Sequence, residues 1–215
     1  MPTRPHRHPA APGVTTAWRL AAATAALALS ACAVSQAPAP RTVYDFGPAM
    51  ATPAAAAPAW PGPLALALAL AEIDTSLALD TSAVQYRLAF ANAQALRPYA
   101  LARWSMPPAQ LVQQRVRSVL AARGPVLVPG VGSAAYTLKL ELDEFSQVFE
   151  APDASQGVVQ LRATLLKGNA LAAQRSFSSR APAPTADAGG GVRALSVAAD
   201  EVAQQLAEWV IEHMR

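Results

Sequence analysis

The chain has 215 residues, 53% hydrophobic and 14% charged, with 17 Lys and Arg against 14 Asp and Glu. A single cysteine excludes an internal disulfide framework and any Cys-rich metal or cluster site, and no uninterrupted apolar run is long enough for a spanning helix. The formal charge of +3 misleads, because Arg4, Arg7 and Arg19 fall in a leader without acids and the remainder balances; a charge-driven nucleic-acid reading is thereby excluded.

Residues 1–19 are polar and basic, and Leu20 to Leu29 is a short apolar stretch. Leu29-Ser30-Ala31-Cys32 follows. Basic, apolar and small-residue segments in that order mark a secretory signal over 1–31. Leu, Ser, Ala and then Cys match the lipobox of bacterial lipoproteins, in which the Cys thiol takes a diacylglycerol and the new amine a fatty acid such as palmitate. Cys32 is therefore the expected lipidation site, and several acyl chains anchor stably. Ala33 stands where an inner-membrane retention Asp would be, which favours the outer membrane. The rival reading, a chance Cys in an ordinary cleaved signal, has to place the chain's only Cys there by coincidence.

Residues 32–63 follow as a tether: positions 33–63 hold ten Ala and seven Pro among 31 residues, a composition that cannot build a core. Within them, residues 42–47 are an island of β-formers between Pro40 and Pro48 and could form a first edge strand. The folded domain is expected over 64–215. Leu64 to Ile73 alternates Leu with Ala, which favours a strand over the helix that Ala and Leu also suit. Ala83–Phe90 and Ala95–Trp104 read as a hairpin about Asn92 and Ala93, with Pro98 at an edge or bulge. Pro107-Pro108 opens a helix running to about Arg123, with Leu111, Val112, Val116, Val119 and Leu120 inward and Gln113, Gln114, Arg117 and Arg123 outward.

Val126 to Val128 is a short strand. Tyr136 to Phe145 alternates apolar and polar as a half-buried antiparallel strand. Val158–Lys167 and Ala172–Ser179 form a hairpin about Gly168-Asn169. Residues 181–191 are rich in Ala, Pro and Gly and read as a loop. Val192 to Met214 is an amphipathic helix with Leu195, Ala198, Val202, Leu206, Trp209 and Val210 inward. The fold expected is α+β: a two-layer sandwich of a mainly antiparallel sheet with two helices on one face.

Chemistry is sparse. Beyond the leader one histidine remains, His213, two residues from the C-terminus, where it suits a helix end better than an active site. No zinc-ligand spacing or phosphate loop exists. Glu141, Asp143 and Glu144 read as a solvated face before an acid–base pair. No catalytic, metal or cofactor-binding residue is assigned, and no cofactor is expected. The remaining signal is aromatic and basic: Tyr86, Tyr99 and Trp104 with Arg87, Arg97 and Arg103. Such enrichment suits a docking surface, and it suits a ring cluster capping the core equally well. The division expected is a buried Trp104 with an exposed Arg103 beside it, and Tyr86, Arg103 and Trp104 are the candidate partner interface.

A lipobox, a Pro/Ala tether, Tyr44-Asp-Phe-Gly47, Val84-Gln-Tyr-Arg87, Arg103-Trp104 with Pro107-Pro108, and Glu144-Phe-Ser-Gln-Val-Phe149 occur in that order. Over residues 41–215 this resembles the ABC-type transport auxiliary lipoprotein family. The resemblance implies a non-enzymatic outer-membrane lipoprotein on the periplasmic side. It also implies an MCE-domain partner in intermembrane phospholipid transport, and a homo-oligomer. The rival reading is a periplasmic lipoprotein that assembles or chaperones an outer-membrane protein or secretion complex.

Overall fold

The computed structural model describes residues 40–47 and 67–214. The leader, Cys32 and residues 48–66 lie outside the described residues. In chain order the elements are β1 (Thr42–Tyr44), β2 (Leu68–Thr75), β3 (Ala83–Leu88), α1 (Ala89–Asn92), β4 (Ala93–Trp104), α2 (Pro108–Ala121), β5 (Val126–Leu127), β6 (Tyr136–Ala151), β7 (Ala154–Lys167), β8 (Ala170–Pro182) and α3 (Ala188–His213).

β6 is the spine of an open eight-stranded sheet. One edge pairs antiparallel with β7, which pairs antiparallel with β8. The other edge is shared: Tyr136–Leu142 pairs parallel with β2, and Gln147–Phe149 pairs parallel with β3. From there β2 continues to β5, and β3 to β4 to β1. The α+β class is thus present. The sheet is mixed, its two longest ladders antiparallel and the β1–β4, β2–β5, β2–β6 and β3–β6 ladders parallel.

The alternation in β6 does what its period requires. Tyr136, Leu138, Leu140 and Leu142 are buried while Lys139, Glu141 and Asp143 are exposed. A bulge between Leu142 and Glu144 then moves the core face from even to odd numbers. Phe145, Gln147 and Phe149 continue it, so the strand runs six residues beyond the end the pattern suggests. Arg162 on β7 bridges Glu141 at 3.0 Å and Asp143 at 3.2 Å, so these acids form an exposed ion-pair ladder.

Helices α2 and α3 share one core with the sheet, built from Val112, Val116 and Leu120 on α2 and Leu195, Ala198, Val202, Leu206 and Trp209 on α3. Gln113 and Arg123 are not simply outward. Gln113 reaches the β2 backbone at Ala71 and Ile73, and Arg123 donates to Gln204 at 2.7 Å. The expected loop over 181–191 is mostly structured. β8 extends to Pro182, and the glycine triplet opens α3, capped by Asp187. Glycine is needed where α3 crosses the sheet: a Cβ on Gly157 would stand 2.5 Å from the Leu195 nitrogen, and one on Gly191 would overlap Gln147. Among the described residues no helix is long and apolar enough to cross a membrane.

Candidate docking surface at the β1–β4 edge

The hairpin expected over 83–104 forms, but its turn is the one-turn helix α1, which leaves Phe90 half exposed. In β4 the step from Arg103 to Pro98 is matched by only two residues of β3, Ala83 to Gln85. The excess bulges out at residues 99–101, next to the proline that cannot donate to a ladder. The bulge opens a cleft of about 360 Å³ bounded by Arg41, Ser82, Pro98, Tyr99 and Arg103.

β1 lies parallel on the last residues of β4, with Val43 opposite Arg103 and Tyr44 opposite Trp104. Side chains alternate across a strand, so Trp104 points inward and Arg103 outward. Trp104 is 1% exposed. Its ring meets Phe46 and Phe145 edge-on, each at 5.6 Å, a favoured aromatic geometry. Its indole nitrogen is buried with no hydrogen-bond partner. Arg103 is exposed and donates to the Ser82 hydroxyl at 3.1 Å.

Tyr86 is half-buried and packs on Tyr99, with ring centres 4.5 Å apart, and on Phe149. The Tyr99 hydroxyl donates to Gln147 at 2.8 Å, and Gln147 donates to Ser155 at 2.8 Å. Burial first, and then the nearby Tyr86 and Asp187, push the Tyr99 phenol up to about 12. It stays a neutral donor at any physiological pH. Arg87 is taken up by Glu144 at 3.1 Å. Of the three interface candidates, then, Trp104 is core, Tyr86 is a shoulder, and Arg103 reaches solvent.

Sequence reasoning missed what fixes β1 in place. Arg115 is 6% exposed, on the buried stripe of α2. It pairs with Asp200 of α3 at 2.6 Å, donates to the carbonyls of Phe46 and Gly47 at 3.3 Å, and lies over the Phe46 ring. Burial outweighs Arg115 and lifts the Asp200 carboxyl above its ordinary value. The signal was in the sequence: an arginine spaced four residues from Leu111 cannot face water on a helix whose stripe is there.

At the start of α3, Asp187 accepts from the Gly190 N–H at 2.7 Å and from the Thr185 hydroxyl at 2.9 Å. These bonds hold its carboxyl below the usual range. The cap therefore stabilises the fold above the ordinary carboxylate pKa, and that contribution is lost as pH falls through the lowered value. Asp187→Asn keeps an acceptor at the cap but does not titrate. Its melting temperature should fall less than the wild type's between pH 6 and pH 3, and parallel curves would contradict the assignment.

Among the described residues no group of three or more His, Cys, Asp or Glu side chains is placed to hold a metal ion. His213 donates from Nδ1 to the Trp209 carbonyl, 2.8 Å away, and its ring lies tilted against the Trp209 indole at the end of α3.

The profile of the family described as ABC-type transport auxiliary lipoprotein component matches residues 44–207. The chain belongs to this family. Its members are auxiliary lipoprotein components of ABC-type transport, and the matched span runs from β1 into the last turns of α3. Two solved structures share the fold. A protein from Xanthomonas campestris is 20% identical, with a TM-score of 0.66 over 73% of this chain and 89% of its own. An uncharacterized protein is 14% identical, with a TM-score of 0.61 over 80% of this chain and 99% of its own. No curated protein matches.

Proposed function

We propose that this auxiliary lipoprotein is a non-enzymatic adaptor, anchored in the outer membrane through Cys32. It docks the MCE-domain protein of an ABC system that moves phospholipid between membranes. In this reading residues 1–31 are the signal peptide, residues 32–63 form the acylated tether carrying β1, residues 64–215 are the adaptor domain, and the domain self-associates. The observation that carries the docking part is the division at β4: Trp104 is locked into the core while Arg103, its neighbour, is exposed beside an open cleft. Arginine is enriched among interface hot spots, and the buried Trp104 ring fixes the strand that presents Arg103. Tyr86 completes the support from β3.

The anchor has its own test. Cys32→Ala should release the protein from outer membranes into the soluble periplasmic fraction and remove the acyl mass from the mature N-terminus. Acyl chains contribute about 0.8 kcal/mol for each buried CH₂, and Ala and Pro have nothing comparable to replace them. A mutant that still sediments with outer membranes, with no acyl mass on the wild type, contradicts the anchor.

A further inference from the structure

The cleft at the β4 bulge, about 360 Å³, is at the small end of the range for ligand sites. Its polar side chains are Arg41, Thr81, Ser82, Tyr99 and Arg103, and the Tyr99 hydroxyl is spent on Gln147. No carboxylate lines it. The acid next in sequence, Asp80, borders a separate pocket with Glu72 and Asp74. Neither Arg41 nor Arg103 has an ion pair among the described residues.

The two free hydroxyls add donors to this charge. Ser82 accepts from the Arg103 guanidinium at 3.1 Å, and Thr81 accepts from the Ala83 N–H at 3.2 Å. A hydroxyl that accepts keeps its own proton for another partner, and a guanidinium has donors only. A wall of donors and positive charge without a carboxylate is the complement of an oxyanion, and paired guanidinium groups suit a phosphate. The rim adds hydrocarbon. Ala100 and Ala102 line the cleft, and Leu101 between them is 51% exposed. Val43, opposite Arg103 on β1, is 59% exposed. A phosphate site beside exposed aliphatic side chains fits a molecule that is anionic at one end and hydrocarbon at the other. Arg41 is nine residues after Cys32, so at most about 30 Å of extended chain lies between the cleft and an anchor there.

We propose that this cleft binds the phosphate of a phospholipid headgroup between Arg41 and Arg103, with the acyl end of the lipid leaving over Leu101 and Val43. The inference goes beyond the docking reading, and it rests on the Cys32 anchor only for which lipid lies in reach. With Arg103 on the docking face, a lipid held here is presented where the transporter component meets the domain.

The test titrates the Cys32→Ala chain with three probes: monomeric dihexanoylphosphatidylglycerol, inorganic phosphate and a short glutamate peptide. The short-chain lipid should bind at least tenfold more tightly than either of the others. Arg41→Gln and Arg103→Gln, both at the surface, should melt with the wild type and each weaken lipid binding about tenfold, the loss of one charge-assisted phosphate contact. Leu101→Ser should weaken lipid binding several-fold and leave inorganic phosphate unchanged. Arg97, exposed on the same strand but outside the cleft, is the control for charge alone, and Arg97→Gln should bind lipid as the wild type does.

Absence of lipid binding, or wild-type affinity in both Arg41→Gln and Arg103→Gln, overturns the proposal. Equal affinity for lipid and inorganic phosphate overturns the lipid as its source, and tighter binding of the glutamate peptide makes the occupant a protein. A loss in Arg97→Gln equal to that in Arg41→Gln reduces the effect to net charge and overturns the cleft. The purified periplasmic part of the MCE-domain protein is run in parallel without lipid. Lipid binding by a chain that does not bind the MCE protein keeps the cleft and removes the docking reading, whereas MCE binding without lipid binding keeps the docking reading and removes the cleft.

Discussion

Trp104→Ala should destabilise the domain by roughly 3–5 kcal/mol, the range for truncating a fully buried large aromatic. For a chain of this size that lowers the melting temperature by about 6–20 °C. The ring is 1% exposed and sits between Phe46 and Phe145, so its removal leaves a cavity under the strand that carries Arg103. Because the indole nitrogen has no partner, the stabilisation comes from the ring's apolar area and not from a hydrogen bond. Trp104→Phe should therefore recover more than half of the loss. A wild-type melt for Trp104→Ala would show that the ring is not core, and an equal loss for Trp104→Phe would show that the nitrogen matters.

Arg115→Ala should cost about 3 kcal/mol, as expected when one member of a buried ion pair is removed. Two things are lost together: the partner of Asp200 and the donor to the Phe46 and Gly47 carbonyls. The effect should be local as well as global, with faster amide exchange in residues 42–47 than in β6. It should also depend on pH in a definite direction. Arg115 is the influence that pulls the Asp200 carboxyl down against burial, so without it the folded-state pKa rises further. A carboxyl whose folded pKa lies above its unfolded value stabilises the fold as pH falls through that value. The deficit of Arg115→Ala should thus shrink between pH 7 and pH 5, and a deficit that grows on acidification contradicts this account.

The parts of the fold legible in the sequence are those with a clean period. β6 over 136–142, the stripe of α3, and the β7–β8 turn at Gly168, whose φ is +57°, follow from local pattern alone. Where reading failed, a tertiary contact overrode the local rule. Residues 188–191 look like a flexible loop, yet they open α3 because glycine is what lets the helix approach Gln147 and Thr185. The β6 bulge cannot be read from one strand, since it exists only relative to β7. The division between Trp104 and Arg103 was legible, because adjacent strand residues face opposite ways. The buried pair of Arg115 and Asp200 joins residues 85 positions apart, and one sequence carries no signal of which acid meets which base.

The exposed arginine carries the central claim. Arg103→Glu should melt with the wild type, because the side chain is exposed and makes only the bond to Ser82. In the same preparation, on the Cys32→Ala chain, affinity for the purified periplasmic part of the MCE-domain protein should fall at least tenfold. Unchanged affinity with an unchanged melt would contradict docking through this face.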